Sequence, residues 1–209
     1  MTKTLFRWLV ALLMMFAVAS CDALPTLPPP PPTSTPAPSP TPVVLGQTFS
    51  GRDLVGNTLS VNYPATWAQG GNADTLILAT SARIAQDPTT ADMSAGDVGV
   101  SISVVPASLA SLAVAEGVTP SAYNILLNYI TSAQQNNPTL GFSTPELTLF
   151  GAVPVAFSRS ATASDESMTL IADVGTGFAI VNVVADAGAL ADALPTVRAI
   201  VASLTYASR

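Results

Sequence analysis

The chain has 209 residues, of which 49% are hydrophobic and 10% charged, with a formal net charge of −6 and no histidine. Its lysine, Lys3, and its cysteine, Cys21, both lie near the N-terminus. The rest of the chain therefore has no Ser-His or Cys-His nucleophile pair, no lysine Schiff base and no Cys/His zinc site. The arginines beyond Arg7 (Arg52, Arg83, Arg159, Arg198 and Arg209) are scattered along an acidic sequence. That distribution argues against nucleic acid as a partner, because phosphates are met by clustered lysine and arginine.

In chain order, Lys3 and Arg7 give a positive start, Trp8 to Val18 is an unbroken apolar run, and the small residues Ala19 and Ser20 follow. This is the three-part layout of an export signal. The apolar run is about eleven residues, short of the roughly 20 that a membrane-crossing helix needs, so removal is predicted. Val18-Ala19-Ser20-Cys21 resembles the lipobox of bacterial lipoproteins, in which the cysteine sulfur takes a diacylglyceryl group and becomes the first residue of the mature chain. The resemblance implies a signal peptide over residues 1–20 and lipidation of Cys21. It also implies a bacterial cell membrane location, with the domain on the extracytoplasmic side. An ordinary signal peptide with an incidental thiol and an uncleaved anchor are the other readings of these residues. Each buried CH₂ adds about 0.8 kcal/mol, so several acyl chains hold where one barely does. On this reading the thiol is an attachment point rather than a catalyst.

From Leu24 to Pro42 prolines alternate with Thr, Ser and Ala and include the run Pro28 to Pro32. Such a composition cannot bury a core and favours polyproline II. A stalk over residues 21–46 is expected, and at about 3.1 Å per residue it reaches up to roughly 75 Å.

A single domain is expected over residues 47–209, the size of one core. Thr58 to Tyr63 alternates as a half-buried strand and stops at Pro64; Thr75 to Thr80 and Val98 to Val105 give two more strands. Pro106 to Glu116 is Ala- and Leu-rich and reads as a short helix stopped by Gly117. Thr119-Pro120 then reads as an N-cap and first helical position, with Ala122, Leu126, Tyr129, Ile130 and Ala133 on one face until Asn136-Asn137-Pro138. Strands follow at Glu146 to Phe150 and Val153 to Ser160. A hairpin of Met168 to Val174 with Phe178 to Ala185 comes next. A last helix, about Leu190 to Leu204, aligns Leu194, Val197, Val201 and Leu204, with Pro195 read in its first turn.

Surviving chemistry would have to use carboxylates. Asp87, Asp92 and Asp97 lie in a loop-like stretch whose even spacing does not match a calcium loop, so solvated loop acids are expected and no metal. Asp165-Glu166 reads as a turn between strands. Gly175-Thr176-Gly177 is followed by no helix, which makes it a tight turn rather than a phosphate loop. Paired carboxylates of a hydrolase carry no local signature.

This order of elements predicts an α+β fold, an antiparallel sheet with helices packed on it. The order, Tyr63-Pro64-Ala65-Thr66-Trp67 closing a strand, Gly151 before a strand and Ile200-Val201-Ala202-Ser203-Leu204 near the end together resemble the PsbP, Mog1 and DcrB-like group of small α/β/α sandwich domains, with Thr66 where the group usually has glycine. The resemblance covers Phe49 to Tyr206 and implies an accessory or binding role with no shared catalytic set, so no catalytic or cofactor-binding residue carries over. The expectation is a membrane-anchored envelope lipoprotein with a non-enzymatic domain and an unidentified envelope partner. A small-ligand-binding module and a carboxylate-dependent hydrolase are the alternatives. Tyr63 and Trp67 are expected in the core.

Overall fold

The computed structural model describes residues 43–53, 56–88, 93–162 and 164–207. The signal segment, Cys21 and the proline-rich stretch up to Pro42 lie outside the described residues. The described residues fall within one compact unit.

The fold is α+β with antiparallel sheets. Its strands are β1 (Gln47–Arg52), β2 (Thr58–Tyr63), β3 (Ala68–Gly71), β4 (Leu76–Ala79), β5 (Val98–Pro106), β6 (Glu146–Phe150), β7 (Val153–Ala161), β8 (Asp165–Asp173), β9 (Gly177–Asp186) and β10 (Thr205–Ala207). Its helices are α1 (Ala82–Gln86), α2 (Ala122–Asn136) and α3 (Leu190–Ala202), with a 3₁₀ helix over Ala107–Ala113. A seven-stranded sheet runs β3-β4-β5-β9-β8-β7-β6, and a three-stranded sheet runs β1-β2-β10.

The period of two along β8 and β9 sorts the core into layers. Met168, Leu170, Ala179, Val181 and Val183 pack with Leu190, Val197, Ile200 and Val201 of α3 and with Val61 and Tyr63 of β2. On the other face, Ile171, Phe178 and Ala156 of β7 meet Ile125, Leu126 and Ile130 of α2 and Ala110 of the 3₁₀ helix. Each fully buried Leu, Ile or Val contributes about 1.5–3 kcal/mol of transfer free energy, so two covered faces make the sheet the centre of the molecule. At its β3 end, α1 comes so close that a Cβ on Gly70 would stand 1.9 Å from the Ala85 carbonyl oxygen. Only glycine fits there.

Several local readings are corrected. The 15-residue α2 is capped by Ser121, whose hydroxyl accepts the Asn124 N–H at 3.2 Å; Thr119 instead gives its carbonyl to the Asn124 side chain. Pro120 therefore precedes the helix. The buried face of α2 is Ala122, Ile125, Leu126 and Ile130, and Tyr129 lies at its exposed margin. Asp165 and Glu166 are the first residues of β8 rather than a turn. Because α3 starts at Leu190, Pro195 falls in its second turn, where it removes one donor from the helix ladder. Strands β1, β3 and β10 and helix α1 carry too few apolar residues or are too short to announce themselves by periodicity.

Candidate functional site

A cavity of about 480 Å³ opens where the end of β7 and the start of β8 meet the first turns of α3. The register brings Ala161 opposite Glu166 and Arg159 opposite Met168, which places Arg159, Ala161 and Glu166 on the sheet face that carries α3. A turn precedes α3. In it the Ala189 N–H reaches the Asp186 carbonyl at 2.9 Å, and Gly188 has φ +85°, a conformation glycine adopts without strain.

The N-cap residue of α3, Ala189, has no capping side chain. Glu166 takes over from the neighbouring sheet, its Oε2 accepting the Leu190 N–H at 3.3 Å. A carboxylate at this end also complements the helix dipole. The opposite wall is Phe142, held by its neighbour Ser143. The Ser143 N–H donates to the Arg159 carbonyl at 2.7 Å, the Arg159 N–H to Ser143 Oγ at 3.0 Å, and the buried Ser158 hydroxyl to the Ser143 carbonyl at 2.7 Å.

Phe142, Ala161, Leu190 and Leu194 make the walls largely apolar, and Arg159 and Glu166 supply the charge. The Arg159 guanidinium stands 5.6 Å from the Phe157 ring centroid, within cation–π range. Among the described residues it has neither an ion pair nor a side-chain hydrogen bond. The volume falls within the roughly 300–1,000 Å³ of small-molecule sites, and apolar walls with a few polar groups are their usual lining.

A smaller hollow of about 90 Å³ lies beyond the other end of α3, between β10 and the segment after β1. There Asp53, Asn57 and Tyr206 bond one another. The Tyr206 hydroxyl donates to Asp53 Oδ2 and accepts from Asn57 Nδ2 at 2.6 Å, and the Asn57 N–H donates to Asp53 Oδ1 at 2.9 Å. Burial, together with the Asp53 carboxylate, raises the Tyr206 phenol above its ordinary value. The Thr176 hydroxyl donates to the Tyr206 carbonyl, so the Gly175-Thr176-Gly177 turn anchors the last strand.

The other residues singled out by sequence take structural places. Asp97 forms an ion pair with Arg83 at 2.7 Å and accepts the Ser94 N–H at 2.8 Å; Asp92 lies outside the described residues. No group of three or more acids, cysteines or histidines suited to a metal occurs among the described residues. Asp165 faces Asp186 across the β8–β9 ladder, but neither lines a described cavity. Tyr63 is buried, and Trp67 packs partly buried against the same core. No helix among the described residues is long and apolar enough to cross a membrane. The cavity itself had no sequence signal, since its walls come from separate stretches between Gly141 and Leu194.

No family model and no curated protein matches the chain. Among solved structures, the crystal structure of LpqN, described as involved in cell envelope biogenesis of Mycobacterium tuberculosis, is similar over 78% of this chain and 91% of its own. The identity is 9% and the TM-score 0.42.

Proposed function

We propose that this chain is a bacterial envelope lipoprotein, attached through Cys21 and raised on a proline-rich stalk, whose domain binds an amphipathic anion and catalyses nothing. The observation that carries the binding reading is the cavity of about 480 Å³ with apolar walls, lined also by Arg159, which has no ion pair among the described residues. An acyl chain or similar apolar body suits Phe142, Leu190 and Leu194, and a carboxylate or phosphate suits the guanidinium fork. With no histidine and no lysine past Lys3, the usual bases that activate a nucleophile are missing from the domain. The membrane reading rests on Lys3 to Cys21. The accessory or binding roles implied by the PsbP, Mog1 and DcrB-like resemblance fit a domain of this kind.

Two measurements test the proposal. In a bacterial host fed labelled palmitate, the full chain should carry label and sediment with membranes, and Cys21→Ala should carry no label and remain as precursor with residues 1–20 uncleaved. An unlabelled parent chain would refute the anchor. The purified chain should bind a fluorescent long-chain fatty acid saturably and more tightly than its methyl ester. Equal affinity for the two, or no saturable binding, would refute the role given to Arg159 and the cavity.

A further inference from the structure

Strand β6 ends the seven-stranded sheet, and its leucines face water, with Leu147 69% and Leu149 62% exposed. Long apolar edge strands invite pairing, and soluble proteins ordinarily blunt them with charge, proline or a covering segment. Among the described residues nothing covers this one.

The main-chain parity of β6 can be read from its pairing with β7. Leu149 lies opposite Pro154 and Leu147 opposite Ala156. Proline has no N–H, so these are the non-bonded pairs of the ladder, and the N–H and C=O groups of Leu147 and Leu149 point outward from the edge. We infer that β6 is the contact by which a second copy of this chain adds to the sheet, antiparallel, about a two-fold axis through Thr148.

That register sets Leu147 of one copy opposite Leu149 of the other, so the outward-pointing main-chain groups of each leucine meet their counterparts. The same pairing stacks leucine on leucine on the face shared with Pro154. On the opposite face Glu146 lands opposite Phe150 of the second copy. The Arg198 guanidinium stands 5.2 Å from the centroid of the Phe150 ring, with no ion pair among the described residues. Each Glu146 therefore meets an unpaired cation, twice by symmetry. An isologous interface requires this self-complementarity. The proline-rich stalk is a poor substitute, because its prolines lack the N–H groups that an added strand must donate.

The test is disulfide trapping of the full chain in membranes. Thr148 would face its own copy as a non-bonded pair, with Cα atoms about 4.5 Å apart, at the short end of the range a disulfide spans. Under mild oxidation Thr148→Cys should give a covalent dimer well above that of the parent chain, which carries only Cys21. Leu112→Cys, on the exposed 3₁₀ helix, should stay at the parent level. Adding Leu149→Lys should abolish the Thr148→Cys dimer. Glu146→Arg should reduce it, and Glu146→Arg combined with Arg198→Glu should restore it. Should the Thr148→Cys yield match Leu112→Cys or the parent, or persist with Leu149→Lys in a variant that melts like the parent, the two-fold pairing is wrong. Trapping only to another protein would point instead to an added strand from a different partner and would equally overturn it.

Discussion

The two hollows flanking α3 contrast in how their polar groups are used. Beyond the C-terminal end of the helix, Asp53, Asn57 and Tyr206 are hydrogen-bonded to one another and leave about 90 Å³. At the N-terminal end, Glu166 is engaged by the Leu190 N–H, but Arg159 finds no acceptor among the described residues and the space is about 480 Å³. Groups already bonded to one another act as a fastening, because a ligand that takes their place must break bonds already made, and unmade buried bonds are costly. An unsaturated group beside an apolar hollow is free to be completed from outside. The start of α3 thus borders the larger hollow, and the strand that follows the helix carries a clasp.

Substitutions at four points along this helix and its surroundings can break or sharpen that contrast. The largest effect is expected for Ile200→Ala, which removes a fully buried side chain from the helix that supports both regions. Denaturant unfolding should show a loss of about 2–5 kcal/mol. A loss well below that range would mean that α3 is not the shared support. Next comes Tyr206→Phe, which removes the hydroxyl that bonds both Asp53 and Asn57 and should cost about 1 kcal/mol in the same measurement, with ligand affinity unchanged.

The same tyrosine predicts an alkaline limit. The folded phenol holds its proton more tightly than the unfolded one. Its contribution is therefore complete below the unfolded value of about 10 and is lost as pH rises through the higher folded value. Thermal melts of the parent should fall in that alkaline window, and Tyr206→Phe should show a shallower fall. Between about pH 6 and 8, with no histidine in the chain, the melting temperature should be flat.

Glu166→Gln removes the carboxylate from the start of α3. It should cost only about 0.3–1 kcal/mol, yet it should tighten binding of an anionic probe, because a like charge leaves the cavity. Arg159→Ala should be nearly silent in stability, within about 0.5 kcal/mol, and should weaken the same probe by about tenfold, the equivalent of roughly 1.4 kcal/mol. If Arg159→Ala melts several degrees lower, the arginine is a fastening like Tyr206 and the contrast collapses.

Much of this fold was legible in the sequence. The bounds of β2 and β6, the β8–β9 hairpin and the end of α2 at Asn136 follow from alternation, proline and glycine, which act over a few neighbouring residues. The exclusion of histidine- and lysine-based chemistry followed from composition alone, whereas the lipobox reading of Cys21 is a resemblance carried by the order of Lys3 to Cys21, outside the described residues. Tertiary structure decided the rest. The strand β3, Ala-Gln-Gly-Gly, and the three residues of β10 are strands because β4 and β2 offer them hydrogen-bonding partners. The cap of α3 comes from Glu166, 24 residues upstream of the N–H it accepts. The Tyr206 clasp joins residues 153 positions apart, and the cavity gathers Phe142, Arg159, Glu166 and Leu194 from separate elements. Backbone preference and hydrophobic period are properties of neighbours along the chain, whereas caps, clasps and cavities depend on distances that exist only once the sheet has formed.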